Sequence, residues 1–103
     1  MSKVAVIAKI TTLPDKRDEV VAILSGMVKK VEDEPGTLVY SLNTDKGDPN
    51  VIWFYELYTD DAALGTHGGS DAMKEMGQQL RGLAAGRPEL FILDLVAAKG
   101  LPG

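Results

Sequence analysis

Hydrophobic residues recur along this chain with two spacings, one typical of strands and one typical of helices. Four apolar or alternating runs predict strands at 3–10, 37–44, 51–58 and 90–97. Apolar residues at helical spacing predict a first helix over 15–32 and a second helix after residue 59. The predicted order of elements is therefore strand, helix, strand, strand, helix, strand.

The first helix and the hairpin after it have clear boundary signals. Pro14 suits the first turn of the helix, and Glu34-Pro35-Gly36 ends it. The polar segment 45–50 separates two strands rich in β-branched and aromatic residues. Residues 37–58 are therefore predicted to form a long antiparallel hairpin.

The second helix is predicted in two parts. An N-cap signal at Thr59-Asp60-Asp61 starts the first part, which breaks at Gly68-Gly69. A fresh N-cap signal at Ser70-Asp71 starts the second part, predicted over 72–83 and closed by Pro88.

This order of elements is typical of one α+β domain spanning residues 1–103. It predicts the ferredoxin-like βαββαβ arrangement, a four-stranded antiparallel sheet with its helices on one face. Strands one and four are apolar on both sides, yet the helices can cover only one face of the sheet. A second copy of the chain is therefore expected on the other face, giving a two-fold homodimer packed sheet on sheet.

Composition narrows the possible chemistry. The chain has no Cys, which excludes disulfides and thiolate chemistry, and its single His, His67, excludes a two-His metal motif, so no metal is expected. A net charge of -4 gives no basic surface for nucleic acid. No apolar run approaches the length of a membrane span, and no membrane partner is expected. The simplest location is the cytoplasm.

A set of short motifs occurs in a fixed order between residues 34 and 76. Glu34-Pro35-Gly36 precedes a strand bearing Tyr40, then a polar turn, then the strand segment 54–58, and finally 59–64 with His67. The pattern resembles the antibiotic biosynthesis monooxygenase family of small dimeric α+β barrel proteins, whose sequences carry E-P-G, Y-E-x-W/Y and D-x-x-A-L-x-x-H. The resemblance implies an oxygenase that uses no metal or organic cofactor and oxidises phenols, quinols or polycyclic aromatics with O2.

Two residues are candidates for catalysis. His67 has the only side chain whose ordinary pKa lies near neutrality, and is therefore the first candidate for a general base. Glu56 lies in an otherwise apolar strand, where a carboxylate needs a partner. Strand alternation places it on the face of Ile52, Phe54 and Tyr58. The alternatives are an exposed or capping position for His67 at the end of a short helix, and a structural ion pair or a bond that holds the His67 loop for Glu56.

Four further residues are candidates for binding an aromatic substrate. Tyr40 and Tyr58 offer rings and hydroxyls, Asn43 an amide, and Trp53 a large ring. Strand alternation cannot place all of them in one pocket, and packing or solvent contact is the competing role for each.

The chain departs from the family pattern at one point. Family members often carry a second His and an aromatic residue where this chain has Ala72 and Met73. Three other functions stay open: a haem-binding or haem-degrading protein with His67 as ligand, an isomerase of a small metabolite, and a ligand-binding dimer without catalysis.

Overall fold

The computed structural model describes residues 3–101, which contain four strands and three helices. The strands are β1 (Val4–Thr11), β2 (Thr37–Thr44), β3 (Val51–Tyr58) and β4 (Glu89–Asp94). The helices are α1 (Arg17–Val31), α2 (Asp61–Gly68) and α3 (Asp71–Gln79).

The four strands form one antiparallel sheet in the order β2-β3-β1-β4. This confirms the predicted ferredoxin-like α+β fold. The register places one residue of each strand in a single row across the sheet, namely Tyr40, Glu56, Val6 and Ile92. Side chains at paired positions point to the same side, so this row lies on one face.

The core lies between this face, here called the helix-facing side, and α1. Val20 and Leu24 of α1 are fully buried and pack against Ile10, Ile52 and Phe54. The predicted alternation of β3 is confirmed, because Ile52, Phe54, Glu56 and Tyr58 share this side.

The opposite side of the sheet, here called the open side, has no helix over it among the described residues. Its central row consists of Ser41, Tyr55, Ile7 and Phe91. Tyr55 and Ile7 are half-buried, and Phe91 is exposed. The chain therefore leaves an apolar surface on this side.

Three predicted boundaries were wrong by a few residues. The first helix begins at Arg17 rather than residue 15, because Asp15 adopts a φ of 64°, outside the helical region. The last helix ends at Gln79 rather than at residue 83, and a turn through Gly82 with φ 80° follows. This turn lets the Leu83 carbonyl accept from the backbone N–H of Leu13 at 2.8 Å.

The last strand ends at Asp94 rather than at residue 97. Asp94 is paired with Val4, the first residue of β1, and one further backbone bond joins Leu95 to Lys3 at 3.1 Å. Within the described residues β1 begins at Val4, and its ladder with β4 ends there.

Candidate active site

A cavity of about 120 Å³ lies between the helix-facing side of the sheet and helices α2 and α3. Three of its lining residues carry polar side chains: Tyr40, Glu56 and His67. The others are apolar residues and one glycine, namely Val6, Ala8, Ile10, Phe54, Leu64, Gly68, Met73, Met76, Pro88, Leu90 and Ile92. The cavity is thus an apolar space with a few polar groups, and no Lys or Arg lines it.

His67 is held in the cavity wall by helix α2. The N-cap of the helix is Asp60, whose side chain accepts a hydrogen bond from the backbone N–H of Ala63 at 2.8 Å. His67 is only 3% exposed, and its Nδ1 lies 2.8 Å from Oε1 of Glu34. A carboxylate oxygen only accepts, so Nδ1 donates and Nε2 of the neutral ring is an acceptor. Nε2 is buried and has no hydrogen-bond partner among the described residues.

Glu34 reaches His67 because the loop after α1 approaches α2 very closely. A Cβ atom at Gly36 would lie 2.6 Å from Cβ of Ala63, so the glycine leaves room for this approach. The Thr59 backbone N–H also donates to the Gly36 carbonyl at 3.0 Å. Thr37 Oγ1 donates to the same Glu34 oxygen that His67 contacts, at 3.0 Å. One oxygen of the Glu34 carboxylate therefore accepts two hydrogen bonds, which hold it in place.

Two tyrosine rings pack on the imidazole of His67. The ring centroid of Tyr40 lies 5.1 Å from that of His67 in an edge-to-face arrangement. The ring of Tyr58 lies 5.5 Å away. Tyr40 also packs against Phe54 with ring centroids 4.7 Å apart. These contacts restrict rotation of the imidazole and exclude water around it.

Glu56 is paired with Tyr58 rather than with His67. The Tyr58 hydroxyl donates a hydrogen bond to Oε1 of Glu56, and both residues are buried. Burial raises the pKa of the Glu56 carboxyl, while the bond from Tyr58 and the nearby imidazole of His67 partly oppose this. Burial and the negative charge of Glu56 also raise the pKa of the Tyr58 hydroxyl, which stays protonated.

The structure brings together four of the six predicted site residues, Tyr40, Glu56, Tyr58 and His67. It places Asn43 and Trp53 on the open side of the sheet, as a pair in neighbouring strands. Trp53 Nε1 donates to Oδ2 of Asp45 at 2.7 Å, and Asn43 Nδ2 donates to the Trp53 carbonyl at 3.2 Å. Both side chains thus support the hairpin and face away from the cavity.

Glu34 is the site residue that sequence reasoning missed. The Glu34-Pro35-Gly36 segment predicts a helix stop and is part of the family pattern, and neither assigns a role to the Glu34 side chain. At the two positions where the family often has a second His and an aromatic residue, Met73 lines the cavity, while Ala72 lines a separate groove shared with α1. The cavity wall is therefore apolar at the position of the missing aromatic residue.

No group of three His, Cys, Asp or Glu side chains in residues 3–101 is arranged to hold a metal ion. The enclosed part of the cavity, about 120 Å³, is smaller than the roughly 300–1,000 Å³ of ordinary ligand pockets. Across the described part of the chain, every helix is too short or too polar to cross a membrane.

The fold and this buried histidine define a class, the small ferredoxin-like proteins with an apolar cavity under a two-part helix. Residues 3–79 match the family model described as antibiotic biosynthesis monooxygenase. The chain belongs to the antibiotic biosynthesis monooxygenase family.

Several proteins of known structure or sequence are similar to this chain over most of its length. A candidate antibiotic biosynthesis monooxygenase of Caulobacter crescentus is 34% identical, with a TM-score of 0.88 over 93% of this chain and 92% of its own. A protein of Mycobacterium tuberculosis is 28% identical, with a TM-score of 0.85 over 94% and 98% of the two chains. An uncharacterised protein of Synechocystis is 26% identical over 95% of this chain and 67% of its own length.

Proposed function

We propose that this protein is a monooxygenase that oxidises a hydroquinone or related phenol with O2, without a metal or organic cofactor. One observation carries the proposal: a buried imidazole lies in the wall of an apolar cavity, with Nδ1 held by Glu34 and Nε2 left without a partner among the described residues. A base so placed can accept a phenolic proton where bulk water is excluded.

Deprotonation makes the substrate a reductant. The hydroquinone gives an O–H proton to Nε2 of His67, and the resulting anion passes one electron to O2. Superoxide and the semiquinone radical then form a C–O bond at a ring carbon next to the phenolic carbon. The imidazolium returns its proton to give a hydroperoxide.

Cleavage of the O–O bond completes the reaction. The ring C–H proton joins the departing hydroxide to form water, and a carbonyl remains on that ring carbon. One hydroquinone and one O2 therefore give one hydroxyquinone and one water, with all electrons supplied by the substrate.

Two carboxyl groups have different roles in this scheme. Glu34 stabilises the imidazolium, because the positive charge forms 2.8 Å from its carboxylate oxygen. Glu56 contacts the second hydroxyl of the substrate. It does so with the carboxyl oxygen that does not accept from Tyr58. Tyr40 provides a ring surface beside the substrate.

Oxygen uptake with methylhydroquinone tests the proposal. His67→Ala is expected to lower the enzyme-dependent rate by roughly 10²- to 10⁴-fold. Thr66→Ala is the matched control, since Thr66 is the exposed neighbour on the same helix and does not line the cavity. Uptake no faster than autoxidation, or equal uptake by His67→Ala, would refute the assignment. Turnover without O2 would indicate an isomerase.

We also propose that a second copy of the chain covers the open side of the sheet. In its central row Tyr55 and Ile7 are half-buried and Phe91 is exposed, and exposed apolar surface of this kind is typical of an interface between chains. Light scattering is expected to give twice the chain mass for the wild type and a shift toward monomer for Phe91→Asp. A monomeric wild type would overturn this packing.

A further inference from the structure

Strand β4 exposes apolar side chains beside the cavity. Leu90 and Ile92 line the cavity, yet each is 60% exposed. Helix α2 packs on β2 and β3 and leaves β4, the edge strand, uncovered. Leu90 and Ile92 together are here called the β4 shelf, which continues the cavity wall outward.

The β4 shelf lies at the opposite end of the site from the imidazole. His67 packs on Tyr40 of β2, whereas Ile92 is three strands away in the same row across the sheet. Neighbouring strands are about 4.8 Å apart, so roughly 14 Å separates the backbone positions of Tyr40 and Ile92. The site is thus polar at one end, and apolar and open at the other.

The enclosed part of the site has room for one aromatic ring. Its volume is about 120 Å³. An apolar cavity of about 150 Å³ in another protein holds one benzene molecule. A fused polycyclic ring system does not fit inside, but a substituent on a single ring can leave through the open end.

We propose that the preferred substrate is a single-ring hydroquinone carrying an unbranched alkyl substituent that lies on the β4 shelf. This inference rests on the proposed function, which places one hydroxyl of the ring at His67 and so sets the orientation of the ring in the cavity. Because no Lys or Arg lines the site, the substituent is aliphatic and uncharged rather than a carboxylate. Leu90 and Ile92 are then the residues that determine specificity.

A chain-length series measures this contact. A methylene that is fully buried strengthens binding about fourfold, and one that lies on a single apolar surface is expected to give about twofold. Anaerobic equilibrium binding of 2-alkylhydroquinones from methyl to heptyl is the measurement. Affinity of the wild type should rise about twofold per methylene and then level off once the chain passes the edge of β4.

Variants separate the β4 shelf from general hydrophobic adsorption. The double variant Leu90→Ser/Ile92→Ser should lose the dependence on chain length. Leu90→Met should keep it, and so should Val96→Ser, because Val96 is exposed and lies outside the cavity lining. Circular dichroism checks that each variant is folded.

The outcomes distinguish this inference from the proposed function. No dependence on chain length in the wild type, or the same dependence in Leu90→Ser/Ile92→Ser, overturns it. Dissociation of an oligomer in that variant would show that a second copy covers the β4 shelf, which also overturns it. Chain-length dependence without oxygen uptake refutes the oxygenase and leaves the binding mode standing.

Discussion

Removing the charge of Glu34 is the sharpest test of the imidazole–carboxylate pair. Glu34→Gln keeps an oxygen that can accept from Nδ1 of His67 but removes the negative charge. The substitution therefore leaves the ground-state hydrogen bond in place. It weakens the step in which the imidazole becomes positively charged.

The size of the effect follows from the geometry. Two unit charges 2.8 Å apart attract by about 6 kcal/mol at an effective dielectric constant of about 20. This is an upper bound, because the Glu34 side chain is 19% exposed and loses hydration on pairing. Charged hydrogen bonds contribute about 1.5–3 kcal/mol by mutation. We therefore expect kcat to fall about 10- to 150-fold.

Two assays make this prediction decisive. The first is kcat for oxygen uptake, with Glu32→Gln as control, since Glu32 is an exposed carboxylate two residues away. The second is the ¹⁵N spectrum of the single histidine, which should show the proton on Nδ1 in the wild type and a shift of the tautomer in Glu34→Ala. An unchanged kcat in Glu34→Gln, or a wild-type proton on Nε2, would refute the reasoning.

Three further predictions concern stability, each measured by urea unfolding. Gly36→Ala should lower the free energy of unfolding by about 1–3 kcal/mol, because its Cβ would lie 2.6 Å from Cβ of Ala63. Adding Ala63→Gly should recover part of this loss, and additive losses in the double variant would contradict the contact. Leu24→Ala should lower the free energy of unfolding by about 2–5 kcal/mol, because Leu24 is fully buried. A smaller loss would mean that neighbouring core side chains fill the cavity left by the substitution. Burial raises the pKa of Glu56 above its ordinary 4.5. The contribution of Glu56 to wild-type stability is therefore greatest below that pH and is lost as pH rises through the raised pKa. The stability of Glu56→Gln relative to the wild type should therefore increase as pH rises. Parallel plots of unfolding free energy against pH for the two proteins would rule this out.

Features set by local spacing were predictable from the sequence. The order of elements, the N-caps at Asp60 and Ser70, and the break after Gly68 were all confirmed. Alternation in β3 also placed Glu56 on the side of Tyr58. These features depend on neighbouring residues or on one short period, so no knowledge of distant contacts was needed.

The composition of the site was decided by tertiary structure. Glu34 and His67 are 33 residues apart, and they meet because Gly36 lets a loop approach α2. The register between β2 and β3 puts Asn43 beside Trp53 on the side away from His67. Alternation within a strand fixes which residues share a face, but not which face of one strand matches that of the next. Only the packed sheet and helices decide that, because pairing across strands depends on contacts distant in the sequence.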